Sequence, residues 1–220
     1  DSYIRDVAEN TNFDWNKLSE SVCRYDADCD PRSPIELSFD WGARISLMTV
    51  SQERYFDFST GLVTDYPIQT FINEFFVKPD VPSTMINALI DNFCKYYTHN
   101  EQAIDRLQKN GWTVIPFVHH GMEPPQHDKF LLIQNILKES DQRFPAARFN
   151  GVKCKYTLIS MNNTRVIERD GRFGKDKKSE SAHSGVLPEE ATHFGDAVDK
   201  IFWTKFNNCL YKSNYTFIPI

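Results

Sequence analysis

The sequence has no run of about 18 to 20 uninterrupted apolar residues, so it offers no segment of the kind that crosses a membrane as a helix. Heptad tracts, collagen-type periodicity, long polar tracts and internal repeats are also missing, which excludes fibrous and wholly disordered organisation. Gly-x-Ser-x-Gly, Walker and His-Glu-x-x-His elements are absent, and with them the usual signatures of serine-hydrolase, nucleotide-binding and zinc-protease chemistry. An excess of positive charge is lacking too. With 25 basic against 30 acidic residues the net charge is -5, so the overall field repels polyanions, and a nucleic acid could be held only by a local basic patch.

What is present is the composition of an ordinary globular protein. The 220 residues are 40% hydrophobic and 25% charged, enough for one sizeable core or two small ones. Aromatics reach 14%, with 17 Phe and 9 Tyr, which predicts a well-filled core and leaves aromatic surface for a partner or ligand. Five cysteines leave an odd one over. Cys23 and Cys29 flank a short polar segment, a spacing that suits a disulfide-closed loop better than a metal knuckle. Together with a start at Asp1-Ser2-Tyr3, without an initiator Met, the pair leads to the expectation of a processed or trimmed chain in a secreted or periplasmic/lumenal setting. Five thiols in a cytosolic protein are the alternative.

Residues 1–33 read as a polar N-terminal segment with the close Cys pair and a short helix around Asn16 to Cys23, and residues 34–220 as a single domain. Strands are expected at Ile45 to Val50, Tyr55 to Ser59 and Leu62 to Tyr66, where β-branched and aromatic residues cluster, with a turn at Ser59-Thr60-Gly61. Ser83 is a candidate N-cap for a helix whose Ile86, Leu89, Ile90, Phe93 and Tyr97 share one face. A second helix, Glu101 to Lys109, stops at Asn110-Gly111 and leads into an apolar strand, Trp112 to Val118. Val152 to Ser160 reads as another strand, Gly171 to Gly185 as an exposed flexible loop, and Phe194 to Cys209 as an amphipathic helix; Thr216 to Ile220 is a terminal strand or tail. The fold class is therefore α/β (or α+β), a mixed sheet flanked by helices.

Histidine is the scarce chemical resource. His119, His120, His127 and Asp128 lie close in sequence, but neighbours on an extended chain point to opposite faces, so His119 and His120 make a poor metal pair. No metal or other cofactor is expected. The sharper arrangement is His127-Asp128-Lys129 before the apolar run Phe130 to Ile133. On a strand His127 and Lys129 share a face, and an imidazole nucleophile beside a cation is suited to attack on a phosphodiester. Ser160 and Asn162, at the same spacing on the expected next strand, would then bind phosphate oxygens. A competing reading is open: Asp128 to Leu137 also fits a helix with Phe130, Ile133 and Leu137 on its core face, and Asn162-Asn163 suits an ordinary hairpin turn.

These residues resemble the phospholipase D superfamily, whose signature is His-x-Lys with an acidic residue four positions on, followed by a Gly-Ser-x-Asn element. The resemblance runs from about residue 102 to 206. It implies a phosphodiester hydrolase acting on a phospholipid or nucleic acid, with His127 as nucleophile and Lys129, Ser160 and Asn162 as phosphate ligands. Gln134 stands in place of the family's acidic residue and Ile159 in place of its Gly, with Glu168 a candidate replacement carboxylate. The family uses two such motifs and this chain has one, which implies a homodimer, a second half-site elsewhere, or a degenerate site. Arg165 and Arg169 begin a basic stretch through Arg172, Lys175, Lys177 and Lys178 that would attract an anionic substrate, although a solvated surface loop is its plainer reading. A reading from another class is an exported non-enzymatic binding or inhibitor module that holds a protein partner on the aromatic surface and the cysteine loop.

Overall fold

The computed structural model describes residues 29–30, 33–41, 44–57, 62–78, 113 and 123–211. The helices expected at 16–23, 83–97 and 101–109, the strand at 112–118, the 59–61 turn, Cys23 and thus its pairing with Cys29, His119, His120 and the 216–220 tail lie outside them.

The described residues form an α/β fold: a four-stranded mixed sheet, a separate two-stranded sheet, and three α-helices. The large sheet runs β1 (Glu36–Trp41), β2 (Ser46–Asp57), β3 (Leu62–Val77) and β4 (Ala146–Phe149) in that spatial order. β1, β2 and β3 form an antiparallel meander, and β4 joins β3 in parallel. Of the strand expected at Tyr55 to Ser59, residues 55–57 are the end of β2 rather than a separate element, and β3 continues far past Tyr66. Its Pro67 falls in a stretch where the ladder to β2 is irregular, which is where a residue without an N–H is tolerated.

Alternation decides which face each residue serves. Leu37 and Phe39 of β1 stand opposite Val50 and Met48 and pack into an apolar cluster with Ile72. Glu36, Ser38 and Asp40 therefore point the other way, toward the helices. In β3 a bulge beside Val50 and Ser51 inserts Ile72 as an extra residue and resets the alternation. Phe71, Glu74 and Phe76 all face the helices as a result.

Helix α1 (Gln126–Lys138) occupies the stretch that includes the expected 127–133 strand, so the helical reading holds for Ile133 and Leu137, whereas Phe130, expected on the core face, is half-buried against Phe173 instead. Its core stripe is Lys129, Leu132, Ile133, Ile136 and Leu137, all buried, with spacings of three and four. Helix α2 (Lys155–Asn163) replaces the strand expected at Val152 to Ser160. The cause is tertiary. Asn150 Oδ1 accepts the N–H groups of Val152 and Lys153, and the Glu74 carboxylate on β3 accepts those of Tyr156 and Thr157 and the Thr157 hydroxyl, at 2.6 to 2.7 Å. A helix start whose orphan donors are satisfied in this way outweighs the local β propensity.

The stretch expected as a loop from Gly171 begins inside a hairpin, β5 (Val166–Arg169) and β6 (Arg172–Lys175). Asp170 and Gly171 both take positive φ, 52° and 71°, the requirement of a two-residue primed turn. Short 3-10 turns at Lys178–Glu180 and Pro188–Glu190 order the rest. Helix α3 (His193–Phe206) matches its expected amphipathic face: Phe194, Ala197, Val198, Ile201, Phe202 and Phe206 are buried against the sheet and α1. The main core holds a stacked Phe71–Phe149 pair, centroids 5.0 Å apart, with Phe202 edge-on to Phe71.

Candidate functional site

The groups that gather around one cavity are carboxylates and lysines. β1 and α3 lie side by side in opposite senses: Lys205 near the end of α3 pairs with Glu36, and Lys200 nearer its start pairs with Asp40. On α3, His193, Asp196 and Lys200 follow at three- and four-residue intervals and so form one stripe, on the side turned toward the end of β1. A cavity of about 260 Å³ opens there, lined by Asp40, Glu123, Gln126, Lys129, Lys177, Asp196 and Lys200. All seven are polar or charged.

Asp40 accepts from Lys200 Nζ at 2.6 Å on Oδ1, and its Oδ2 lies 3.0 Å from His193 Nδ1. Burial would raise its pKa, but the His193 hydrogen bond and the Lys200 charge outweigh that and hold it below the ordinary carboxylate value. Asp196 is hydrogen-bonded by two lysines, Lys175 at 3.1 Å on Oδ1 and Lys177 at 2.6 Å on Oδ2. Against the cost of its burial, these two cations also lower its pKa. One turn on, Asp199 is buried at 4% exposure and pairs with Lys175 at 2.6 Å, while burial keeps its own pKa raised. Lys129 meets Glu123 at 3.1 Å.

Of the residues singled out in the sequence, Lys129 and, from the basic stretch, Lys177 line this cavity. A two-residue step is about 200° around a helix, so α1 turns His127 and Lys129 to different sides. His127 stacks on Phe173 of β6, centroids 5.7 Å apart, and its Nδ1 accepts the Phe173 N–H at 3.0 Å. Ser160 is fully buried, with Oγ accepting the Gly195 N–H at 3.0 Å, so it joins α2 to the first turn of α3. Asn162, two residues on, is likewise turned away from Ser160, and its Oδ1 is buried without a hydrogen-bond partner. Arg165 and Arg169 are exposed at the hairpin, as is Glu168. The strand-based convergence of His127, Lys129, Ser160 and Asn162 on one phosphate is therefore corrected: helices carry all four, and the spacing that aligns residues on a strand separates them here.

No protein-family model, curated protein or solved structure matches this chain.

Asp40, His193, Asp196 and Lys200 went unrecognised in the sequence. The available signals were an acidic residue on the polar side of an alternating strand and a charged stripe along an otherwise apolar helix. Neither spacing alone says that β1 and α3 meet. Among the described residues, no three of His, Cys, Asp and Glu cluster closely enough to hold a metal by themselves, and no helix is long and apolar enough to cross a membrane.

Proposed function

We propose that this protein is a phosphodiester hydrolase acting on a nucleic-acid backbone, with Asp40 and Asp196 as ligands for a divalent cation of the magnesium type. The observation that carries this reading is the cavity itself, where two carboxylates from separate elements face a common space interleaved with lysines. The reaction class is the one that the His-x-Lys resemblance implies; the groups assigned to it are different.

Both carboxylates are kept ionised by neighbouring cations, and a divalent cation would have to share their oxygens with Lys200 and His193 at Asp40 and with Lys175 and Lys177 at Asp196. Magnesium is commonly held by one or two protein carboxylates, with waters and substrate phosphate completing its shell, which suits a site of two aspartates. Zinc, which takes three or four protein ligands, suits it poorly. A bound divalent cation supplies an acidified water and charge neutralisation at the phosphoryl oxygens. The chain's own share is orientation and positive charge. His193 and Lys200 fix the Asp40 carboxylate, Lys129 and Lys200 add ammonium groups at the cavity wall, and exposed Arg165, Arg169 and Arg172 offer a track for neighbouring phosphates. The polar lining favours a nucleic acid over a phospholipid, since an acyl chain finds no apolar wall there. On this reading a single chain supplies the site, and pairing of two copies is not required.

The test is incubation of the purified protein with end-labelled DNA and RNA, single- and double-stranded, in Mg²⁺, Mn²⁺ or EDTA. Cleavage that needs the cation and falls at least about 100-fold in Asp40→Asn and Asp196→Asn supports the proposal. Lack of cleavage on every substrate, or variants as active as the parent while equally folded by circular dichroism, overturns it.

A further inference from the structure

The β5–β6 hairpin gathers three arginines on one face. Phe173 and Lys175 alternate toward the body of the protein, Phe173 to the rings of His127 and Phe130 and Lys175 to Asp196 and Asp199. Their register partners Glu168 and Val166 share that face, so Ile167 and Arg169 of β5 and Arg172 and Gly174 of β6 form the other. Arg165 extends it by one step, since its carbonyl accepts the Asp176 N–H at 2.8 Å and continues the ladder. Asp176, opposite it, is engaged elsewhere, with Oδ1 accepting the Lys178 N–H at 3.0 Å. Among the described residues, Arg44, Arg54, Arg143 and Arg148 each donate to a carbonyl, amide or carboxylate oxygen. Arg165, Arg169 and Arg172 are exposed, and their side chains make no hydrogen bond or ion pair.

Arg169 and Arg172 stand directly opposite one another, on either side of the Asp170-Gly171 turn. Like charges in that relation weaken a hairpin. An anion between the two guanidinium groups removes the repulsion, and a phosphate can accept from both forks at once. Arg165 lies four residues before Arg169, about 13 Å along the strand. Between them Ile167 is paired with Gly174, where the nearest heavy atom to an added Cβ would be Gln126 Cβ, at 3.9 Å. The face therefore has cations at both ends and a bare floor in the middle, on which a base can lie flat beside guanidinium planes.

We propose that this face binds single-stranded nucleic acid, with Arg169 and Arg172 closing on one phosphate, Arg165 on another, and an unstacked base resting over Ile167 and Gly174. The proposal rests on the nucleic-acid part of the reading above and needs nothing of its cation. Two other polyanions fit less well. At a membrane the exposed Asp170 at the hairpin tip would meet the anionic headgroups first, and the denser charge of a duplex is opposed by the overall charge of -5.

The experiment is fluorescence anisotropy of the intact protein in EDTA with a labelled mixed-sequence oligonucleotide, single-stranded and as its duplex, beside co-sedimentation with phosphatidylserine vesicles. The parent is expected to bind the single strand most tightly. The Arg169→Thr/Arg172→Thr double variant, whose threonines suit a strand, should bind it at least tenfold more weakly, with the slope of log affinity against log salt shallower by about 1. Its urea midpoint should equal or exceed that of the parent, because the opposed charges are gone; a merely structural pair would lower it. Weaker binding with an undiminished midpoint supports the proposal. Absence of binding by the parent, unchanged binding by the variant, a lowered midpoint, or preference for the duplex or the vesicles overturns it. Cation-dependent cleavage at the cavity can survive each of these results, and binding in EDTA can survive the failure of cleavage, so the two readings fall separately.

Discussion

Asp40 and His193 lie 153 residues apart in sequence, and in the fold Oδ2 of the first is 3.0 Å from Nδ1 of the second. Lys200 takes the other Asp40 oxygen, so the carboxylate is held from two points on α3 and its plane is fixed before any ligand arrives.

That geometry assigns His193 a positioning role. His193→Ala should lower cleavage about 10- to 100-fold and raise the cation concentration needed for half-maximal rate, as loss of a ligand-orienting partner does. His193→Asn, whose amide can donate from nearly the same place as Nδ1, should recover most of both. A rate loss with unchanged cation dependence would contradict this role.

His127 gives the opposite expectation. Its ring anchors the hairpin through Phe173, and it is not among the cavity-lining residues. His127→Ala should keep cleavage within about threefold while lowering stability in urea by about 1 kcal/mol, the net value of one hydrogen bond. Complete loss of turnover in a folded His127→Ala protein would restore the histidine-nucleophile route.

Gly195→Ala sets helix propensity against space. Alanine favours the helix by about 1 kcal/mol, but the new Cβ would lie 3.2 Å from Lys175 Nζ and 3.4 Å from Ser160 Oγ. Lys175 is pinned between Asp196 and Asp199 and Ser160 is bonded to the Gly195 N–H, so neither can yield freely. A net loss of about 1 kcal/mol is expected by equilibrium denaturation, together with a shifted cation requirement. A stabilised variant with unchanged activity would show that Lys175 is not confined.

Glu74 makes stability depend on pH. Burial raises its pKa from 4.5 to about 7, although Thr157 and Tyr156 donate hydrogen bonds that favour the ionised form. Between these values the folded protein holds a proton that the unfolded chain has released, so this stabilising contribution is complete below pH 4.5 and is lost as pH rises through about 7. Over that window it should amount to about 2 kcal/mol in the parent and vanish in Glu74→Gln, as read by urea midpoints from pH 5 to 8. Asp40 acts in the other sense. Its contribution is present above the ordinary carboxylate range and is lost as the medium is acidified below it. Parallel pH profiles for parent and Glu74→Gln would show that Glu74 does not titrate in this window.

The sequence showed the fold where local periodicity and packing agree. The stripe from Phe194 to Phe206 reads as α3 because each apolar residue is indeed buried, and the β-branched run at Ile45 to Val50 reads as β2. It misled where a distant group decides. Lys155 to Asn163 is helical because Glu74, 82 residues before Tyr156, caps its start, and nothing in the segment announces that partner. Asp170-Gly171 was a readable hairpin signal, lost beneath the lysine- and serine-rich residues that follow. The site suffered most from spacing: His-x-Lys means a shared face on a strand and opposed sides on α1. Asp40 and Asp196 become a pair only when β1 and α3 are laid together.

The alternation in β1 has a consequence for lineages descended from this sequence. Glu36 and Asp40 share a face with Lys205 and Lys200 because three residues separate them, while Leu37 and Phe39 fill the other side. Gain or loss of a single residue between 36 and 40 would exchange the two sets, turning a carboxylate into an apolar cluster and a phenyl ring into the cavity. Changes by two residues preserve the parity. Insertions and deletions that survive in this stretch should therefore come in even numbers or bring a bulge of the kind that absorbs Ile72 in β3, a reading-frame rule imposed by the pleat rather than by the codon.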